Sequence, residues 1–291
     1  MISLIRYPGS KAKLVGQIMD RFPANMKLQL WSSMDSGWEY REPFFGAGSV
    51  GLEVMNRIDR SCSVWINDVD PAMFALWTTI KEQPILFMQH CTDFEPSIEA
   101  FYRFKEEDGR TDLPLPEQAF RKVALHRMSF SGFGAMAGGP IGGKKQSSAY
   151  NVSCRWNLQK IKAEAMTAHR VMNRFARLRI TCCDFAHLID TANEKTFVYL
   201  DPPYYEKGEQ LYKFNMDDAA HARLRDSLNK SPATWMLSYD DHPRVRELYA
   251  GCAIEPIYAT YSNAVQKGGT RPKNQEVLIF KPTARESEAA A

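Results

Sequence analysis

The sequence predicts an α/β fold: a mostly parallel sheet with helical crossovers, interrupted once by a helix-and-loop insert. Three observations carry this. Short apolar runs that read as buried strands alternate with stretches of helical period. Two of those runs end in turns suited to holding a ligand: a glycine-rich one after Phe45, and an acid followed by two prolines at Asp201. Between the two turns lies a long stretch richer in Pro, Gly and aromatics, where the alternation stops.

The elements follow in order. Leu14, Val15, Ile18 and Phe22 form an apolar stripe ended by Pro23, an amphipathic helix with Ser10 as a possible cap. A short run over residues 40–45 leads into Gly46-Ala47-Gly48-Ser49-Val50-Gly51, and Leu52, Val54, Met55 and Ile58 continue as a helix. A second strand over 62–66 ends in Asn67-Asp68, and Asp70-Pro71 starts the next helix, the acid as cap and the proline in the first turn. This strand–helix–strand–helix order implies parallel strands with right-handed crossovers.

Residues 85–165 read as the insert, helical around 119–128 and looped afterwards, because residues 129–143 hold six glycines and a proline. It divides the chain into residues 1–84, the insert, residues 166–284 and a small polar tail, 285–291, expected to be disordered. In the third part, strands are expected at 178–183, 196–200, 234–239, 252–261 and 276–281, with helices at 217–229 and 243–249.

Composition narrows the class. With 291 residues there is room for one large α/β domain carrying an insert, and 44% hydrophobic against 24% charged residues suits a soluble globular chain. No stretch approaches 18 consecutive apolar residues, and the first residues lack a signal-peptide layout, so a cytoplasmic protein is expected. The six cysteines form no C-x-x-C pair and read as small apolar residues in a reducing compartment, with no metal site expected.

Net charge is only +3, but residues 118–163 hold eight Lys or Arg and no acid. That one-sided block is the footprint of a phosphate-binding surface. Within or beside it, Lys144, Lys145, Arg155 and Arg127 are candidate nucleic-acid contacts. Tyr150 is a possible stacking residue, and Trp156 reads as core. Lys267 and Arg271 form a second basic candidate.

Asp201-Pro202-Pro203-Tyr204 directly follows Phe197-Val198-Tyr199-Leu200, which puts Asp201 at the carboxyl end of a buried parallel strand. Its chemistry suits an aromatic amine, whose lone pair is delocalised into the ring. Acceptors aimed at both N–H bonds, the Asp201 carboxylate and the Pro202 carbonyl, draw the nitrogen towards a tetrahedral, nucleophilic geometry, and Tyr204 can stack on the base. The base must leave a duplex for this to happen. An ordinary proline turn after a strand is the alternative. The Gly46-x-Gly48-x-x-Gly51 turn with Phe45 suits a nucleotide-like cofactor, and equally a dinucleotide, with Asp68 on ribose hydroxyls. Lys11 is either a ligand of cofactor or base, or an exposed lysine in a helix's first turn. Asp184 and Phe185 are candidates for the cofactor's adenine.

Together, Tyr7-Pro8-Gly9-Ser10-Lys11, Glu42-Pro43-Phe44-Phe45-Gly46-Ala47-Gly48-Ser49-Val50, Asn67-Asp68 and Asp201-Pro202-Pro203-Tyr204 resemble the Dam-like, D12-class family of DNA adenine-N6 methyltransferases. Glu276-Val277-Leu278-Ile279 is similar to the family's final strand. The resemblance implies a Rossmann-like S-adenosylmethionine-dependent sheet, an inserted target-recognition module, double-stranded DNA as partner, and Tyr7, Lys11, Asp68 and Asp201 around a joint cofactor and adenine site. The chain departs from members that read GATC, which carry an Asn-rich hairpin where this one has Ser131-Gly132-Phe133-Gly134-Ala135 and Gly142-Gly143-Lys144-Lys145, so no recognition sequence carries over. An RNA adenine or DNA cytosine-N4 methyltransferase would use similar logic. An NAD-dependent dehydrogenase would explain only the glycine turn and Asp68. A monomer is expected.

Overall fold

Seven strands form one sheet: β1 (Glu39–Glu42), β2 (Ser63–Asn67), β3 (Leu178–Thr181), β4 (Thr196–Leu200), β5 (Thr234–Asp240), β6 (Ala253–Ala259) and β7 (Asn274–Phe280). The order is β3-β2-β1-β4-β5-β7-β6. Strands β1 to β5 are parallel, whereas β7 runs antiparallel to β5 and β6. The computed structural model describes residues 2–6, 9–22, 37–147, 149–206, 208, 213–259 and 274–280. Tyr7, Lys267, Arg271 and the 285–291 tail, all singled out above, lie outside these.

The sheet is Rossmann-like, with the strand order reversing between β1 and β4. Open α/β sheets place ligands at such a point, beyond the carboxyl ends of the strands. Strand β4, Thr-Phe-Val-Tyr-Leu, is buried throughout, as its continuous run of β-branched and aromatic residues requires of a strand covered on both faces. One apolar cluster joins Val64 and Ile66 of β2 to the helices on one side; another joins Val198, Leu200, Trp235 and Leu237 to Leu224 and Leu228 on the other.

Ten helices are described: α1 (Val15–Asp20), α2 (Gly51–Arg57), α3 (Pro71–Glu82), α4 (Pro84–Thr92), α5 (Ile98–Glu106), α6 (Leu115–Met128), α7 (Leu158–Met172), α8 (Phe185–Asp190), α9 (Asp218–Lys230) and α10 (Pro243–Leu248). Asp70 caps α3 by accepting the Ala72 amide at 2.8 Å, with Pro71 in the first turn. Ser10 caps nothing: its hydroxyl bonds to that of Ser49 at 2.8 Å, tying the N-terminal segment to the glycine-rich turn.

The middle of the chain is more helical than its composition suggests. Helices α4 and α5, opened by Pro84 in the first turn and by Ser97 as cap, precede α6, and α7 continues unbroken through residue 165, where the insert was expected to end. Phe87, Phe101 and Val123 from these helices share a core with Met73 and Trp77 of α3. After α6 come two short 3₁₀ helices, Phe130–Gly132 and Gly134–Met136, and then, in the described residues up to 157, turns and irregular backbone, with left-handed backbone at Ser131 (φ 55°) and Gly132 (φ 78°).

Candidate active site

The site grows from the exits of β1 and β4. After β1, the glycine-rich turn is fixed from three sides. The Phe45 amide donates to the Asn67 carbonyl at 2.9 Å, the Gly48 amide donates to the Phe45 carbonyl at 2.8 Å, and the Trp77 indole donates to the Gly46 carbonyl at 2.8 Å. Gly48 has φ +69°, and a Cβ there would stand 2.9 Å from the Phe45 ring. A Cβ on Gly51 would collide with the Glu42 carboxylate. The side-chain amide of buried Asn67 donates to the Pro43 and Cys183 carbonyls, both at 3.0 Å, so one residue joins the exits of β1, β2 and β3.

Asp68 follows Asn67. Its two carboxylate oxygens accept the Gly46 and Asp70 amides at 2.8 and 2.9 Å. Burial, then neighbouring Asp70, pushes its pKa up to about 7. Asp70 is buried, caps α3 and pairs with buried Lys122 at 2.6 Å. Asp184 is exposed, caps α8 and pairs with Arg223 at 2.7 Å. Phe185 is buried against Phe44, ring centroids 5.4 Å apart.

After β4, the Asp201 carboxylate meets Lys11. The Lys11 ammonium is buried and stands 2.7 Å from Asp201 Oδ1 and 3.3 Å from Glu276 Oε2. It also donates to the Gly9 carbonyl (3.2 Å) and the Tyr204 hydroxyl (3.4 Å), and lies 4.8 Å from the Tyr204 ring centroid. Ser238 of β5 donates to Asp201 Oδ1 at 2.8 Å, so both partners use the same oxygen and Oδ2 accepts from neither. The Tyr204 hydroxyl donates to Glu276 Oε1 at 2.9 Å, and Asp240 accepts the backbone amides of Tyr205 and Glu206. Pro202 is buried at the turn. Nearby, buried Glu42 accepts the Tyr40 hydroxyl at 2.6 Å, and burial holds its carboxyl well above the ordinary range.

Two cavities flank this cluster. One is lined by Ser10, Lys11, Glu42, the glycine-rich turn and Asp201. The other is lined by Asp68, Asp70, Pro203 and Phe214. Phe44, Gly46 and Asp201 border both, so a long molecule can run from Lys11 to Asp68 past Asp201.

A family model described as D12 class N6 adenine-specific DNA methyltransferase matches residues 7–263. The chain belongs to this family. It is 26% identical to a type II methyltransferase of Lactococcus lactis subsp. cremoris, covering 82% of this chain and 84% of that one. It is 25% identical to the DNA adenine methylase of Escherichia coli K12 (83% and 86%) and 21% identical to a type II methyltransferase of Methanocaldococcus jannaschii (88% and 90%). The protein is a DNA N6-adenine methyltransferase, and membership implies S-adenosylmethionine as methyl donor.

The residues present fit that donor. The methyltransferase's glycine turn offers no row of open amides for a pyrophosphate: the Gly46 amide serves Asp68, that of Gly48 serves Phe45 and that of Gly51 serves Glu42. The Asp68 carboxyl beside this turn can meet ribose hydroxyls.

Of the expected DNA contacts, Lys144, Lys145, Tyr150 and Arg155 are exposed on one glycine-rich stretch, and Arg155 lies 5.6 Å from the Tyr150 ring centroid. Arg127 is a correction. It is buried, and its guanidinium donates to the Ser3 and Leu4 carbonyls at 3.0 Å while pairing with Glu164 at 3.3 Å, so it anchors the N-terminal segment. Half-buried Trp156 packs on Phe94. Glu42 and Glu276 were missed as site residues. Both stand inside motifs quoted for the family resemblance, but nothing local marks Glu276 as a partner of Lys11 or Glu42 as part of the cavity wall beside it.

Proposed function

We propose that this methyltransferase moves a methyl group from S-adenosylmethionine, held along the paired cavities, to the N6 amine of an adenine turned out of duplex DNA. The observation that carries this reading is Asp201, which borders both cavities at the end of β4 and so can face donor and acceptor together. When bound, the donor supplies an electrophilic methyl carbon on a sulfonium. Asp201 and the Pro202 carbonyl accept hydrogen bonds from the two N6–H groups and localise the nitrogen lone pair, while Tyr204 offers a ring face to the base; as N6 takes the methyl group, S-adenosylhomocysteine leaves and N6 gives up one proton. Asp68 grips ribose hydroxyls. Phe185 acts through Phe44, and Asp184 braces α8. Lys144, Lys145 and Arg155 meet phosphates, with Tyr150 beside them as a stacking residue.

Methyl transfer from labelled S-adenosylmethionine to unmethylated genomic DNA, followed by nucleoside analysis and methylation-aware sequencing, tests the reading. N6-methyladenine in a fixed short context of duplex DNA is expected; labelling of single strands or RNA alone would overturn the duplex assignment.

A further inference from the structure

We propose that Glu276 is a positioning residue for methyl transfer: it is the second counter-ion of Lys11 and takes the ammonium from Asp201 when the adenine amine arrives. The inference rests on the reading above that Asp201 receives the N6–H.

One ammonium lies between two carboxylates of different access. The Asp201 side chain is 21% exposed and borders both cavities; that of Glu276 is 5% exposed and lies behind Lys11 and Tyr204. Glu276 Oε1 is held by the Tyr204 hydroxyl. Its Oε2 is buried and pairs with Lys11 Nζ at 3.3 Å, longer than the 2.7 Å from Lys11 to Asp201. A buried carboxylate oxygen held this loosely can take a closer hydrogen bond. A small rotation of the Lys11 ammonium, which has three N–H donors, shortens that contact.

That rotation is what an incoming amine needs. In the ground arrangement Lys11 and Ser238 both occupy Asp201 Oδ1. An N6–H can reach Oδ2, but it then shares a carboxylate whose charge is already drawn to a buried cation on Oδ1. If Asp201 were the only counter-ion, giving it up would leave Lys11 buried and unpaired, a costly state. With Glu276 Oε2 waiting, the cation changes partner without losing its counter-charge, and Asp201 is released to the substrate. Tyr204, which touches both Lys11 and Glu276, keeps the second carboxylate aimed during the exchange.

The test uses the full chain, duplex DNA and saturating S-adenosylmethionine under single turnover. E276Q keeps an acceptor for Tyr204 but removes the charge that draws Lys11. Its rate should fall about 10- to 100-fold, with donor and DNA dissociation constants within about threefold of the parent. In a Lys11→Met background the same substitution should change the residual rate by less than about twofold, because the ion it steers is gone. A parent-like rate in E276Q, an additive loss in the Lys11→Met background, or a parallel loss of donor binding would each overturn the proposal. Should E276Q fail to fold, E276D decides: a shortened acid should slow turnover about 3- to 10-fold, again only while Lys11 is present, and an unchanged or additive rate overturns it. Asp201→Ala is measured alongside. Turnover retained there refutes the role of Asp201 itself, whereas turnover retained only in E276Q refutes this inference alone.

Discussion

Asp68 Oδ2 accepts the Gly46 amide at 2.8 Å, so the acid that ends β2 also closes the glycine-rich turn after β1. With its pKa raised to about 7, its folded-state value lies above that of the unfolded chain. The fold therefore binds this proton more tightly, and stability contributed at Asp68 declines as pH rises from about 4 towards 7, then levels. Asp68→Asn should flatten that window. It should also bind S-adenosylmethionine about 10-fold or more weakly, since charge-assisted bonds to the ribose are lost. Thermal melts across pH and calorimetric titration check both; unchanged donor affinity would remove Asp68 from the cofactor site.

Asp201→Ala removes the acceptor that faces both cavities. Turnover should fall by about 10²- to 10³-fold or more, while DNA affinity stays within a few-fold of the parent. Single-turnover methylation and a fluorescence-anisotropy titration separate the two. Retained turnover would rule out the proposed acceptor role.

Lys144 and Lys145 are exposed next to each other in the turn-rich stretch. Replacing both by Ala should weaken DNA binding and lower the slope of log affinity against log salt by about 1.8, roughly 0.9 for each phosphate no longer neutralised. A slope identical to the parent's would mean this stretch faces away from DNA.

Arg127→Met should act on the fold and leave the salt slope alone. The change frees the Ser3 and Leu4 carbonyls and strands the half of the ion pair on Glu164. Breaking a buried pair of this kind destabilises by about 3 kcal/mol, visible as a lower midpoint in chemical denaturation. A stable variant with a reduced salt slope would return Arg127 to the DNA surface.

Local sequence determined much of this protein. The run at 196–200 is a strand because β-branched and aromatic residues fill a position buried on both faces. Asp70-Pro71 starts a helix because cap and first-turn proline are satisfied within a few residues. The turns at Gly46 and Asp201 were legible because each follows an apolar run directly, and sheet topology alone then places both at the reversal between β1 and β4. Helices α4 and α5 were not read from the sequence, although Pro84 opens α4 and the Ser97 hydroxyl caps α5, because the stretch around them is rich in Pro, Gly and aromatics; Phe87 and Phe101 find their burial only in the shared core.

Tertiary structure decided which charges face water and which face each other. Lys122 and Arg127 sit in the same basic run as Lys144 and Lys145, yet the first two are buried against Asp70 and Glu164 and the last two are exposed. Local spacing left Lys11 open between a site ligand and a first-turn surface lysine; it is a buried cation because β4 and β7 bring Asp201 and Glu276 to it. Residue order fixes local hydrogen bonding and the period of burial. It does not fix burial and pairing between distant residues, which depend on how the strands are ordered, and those set the electrostatics of the site.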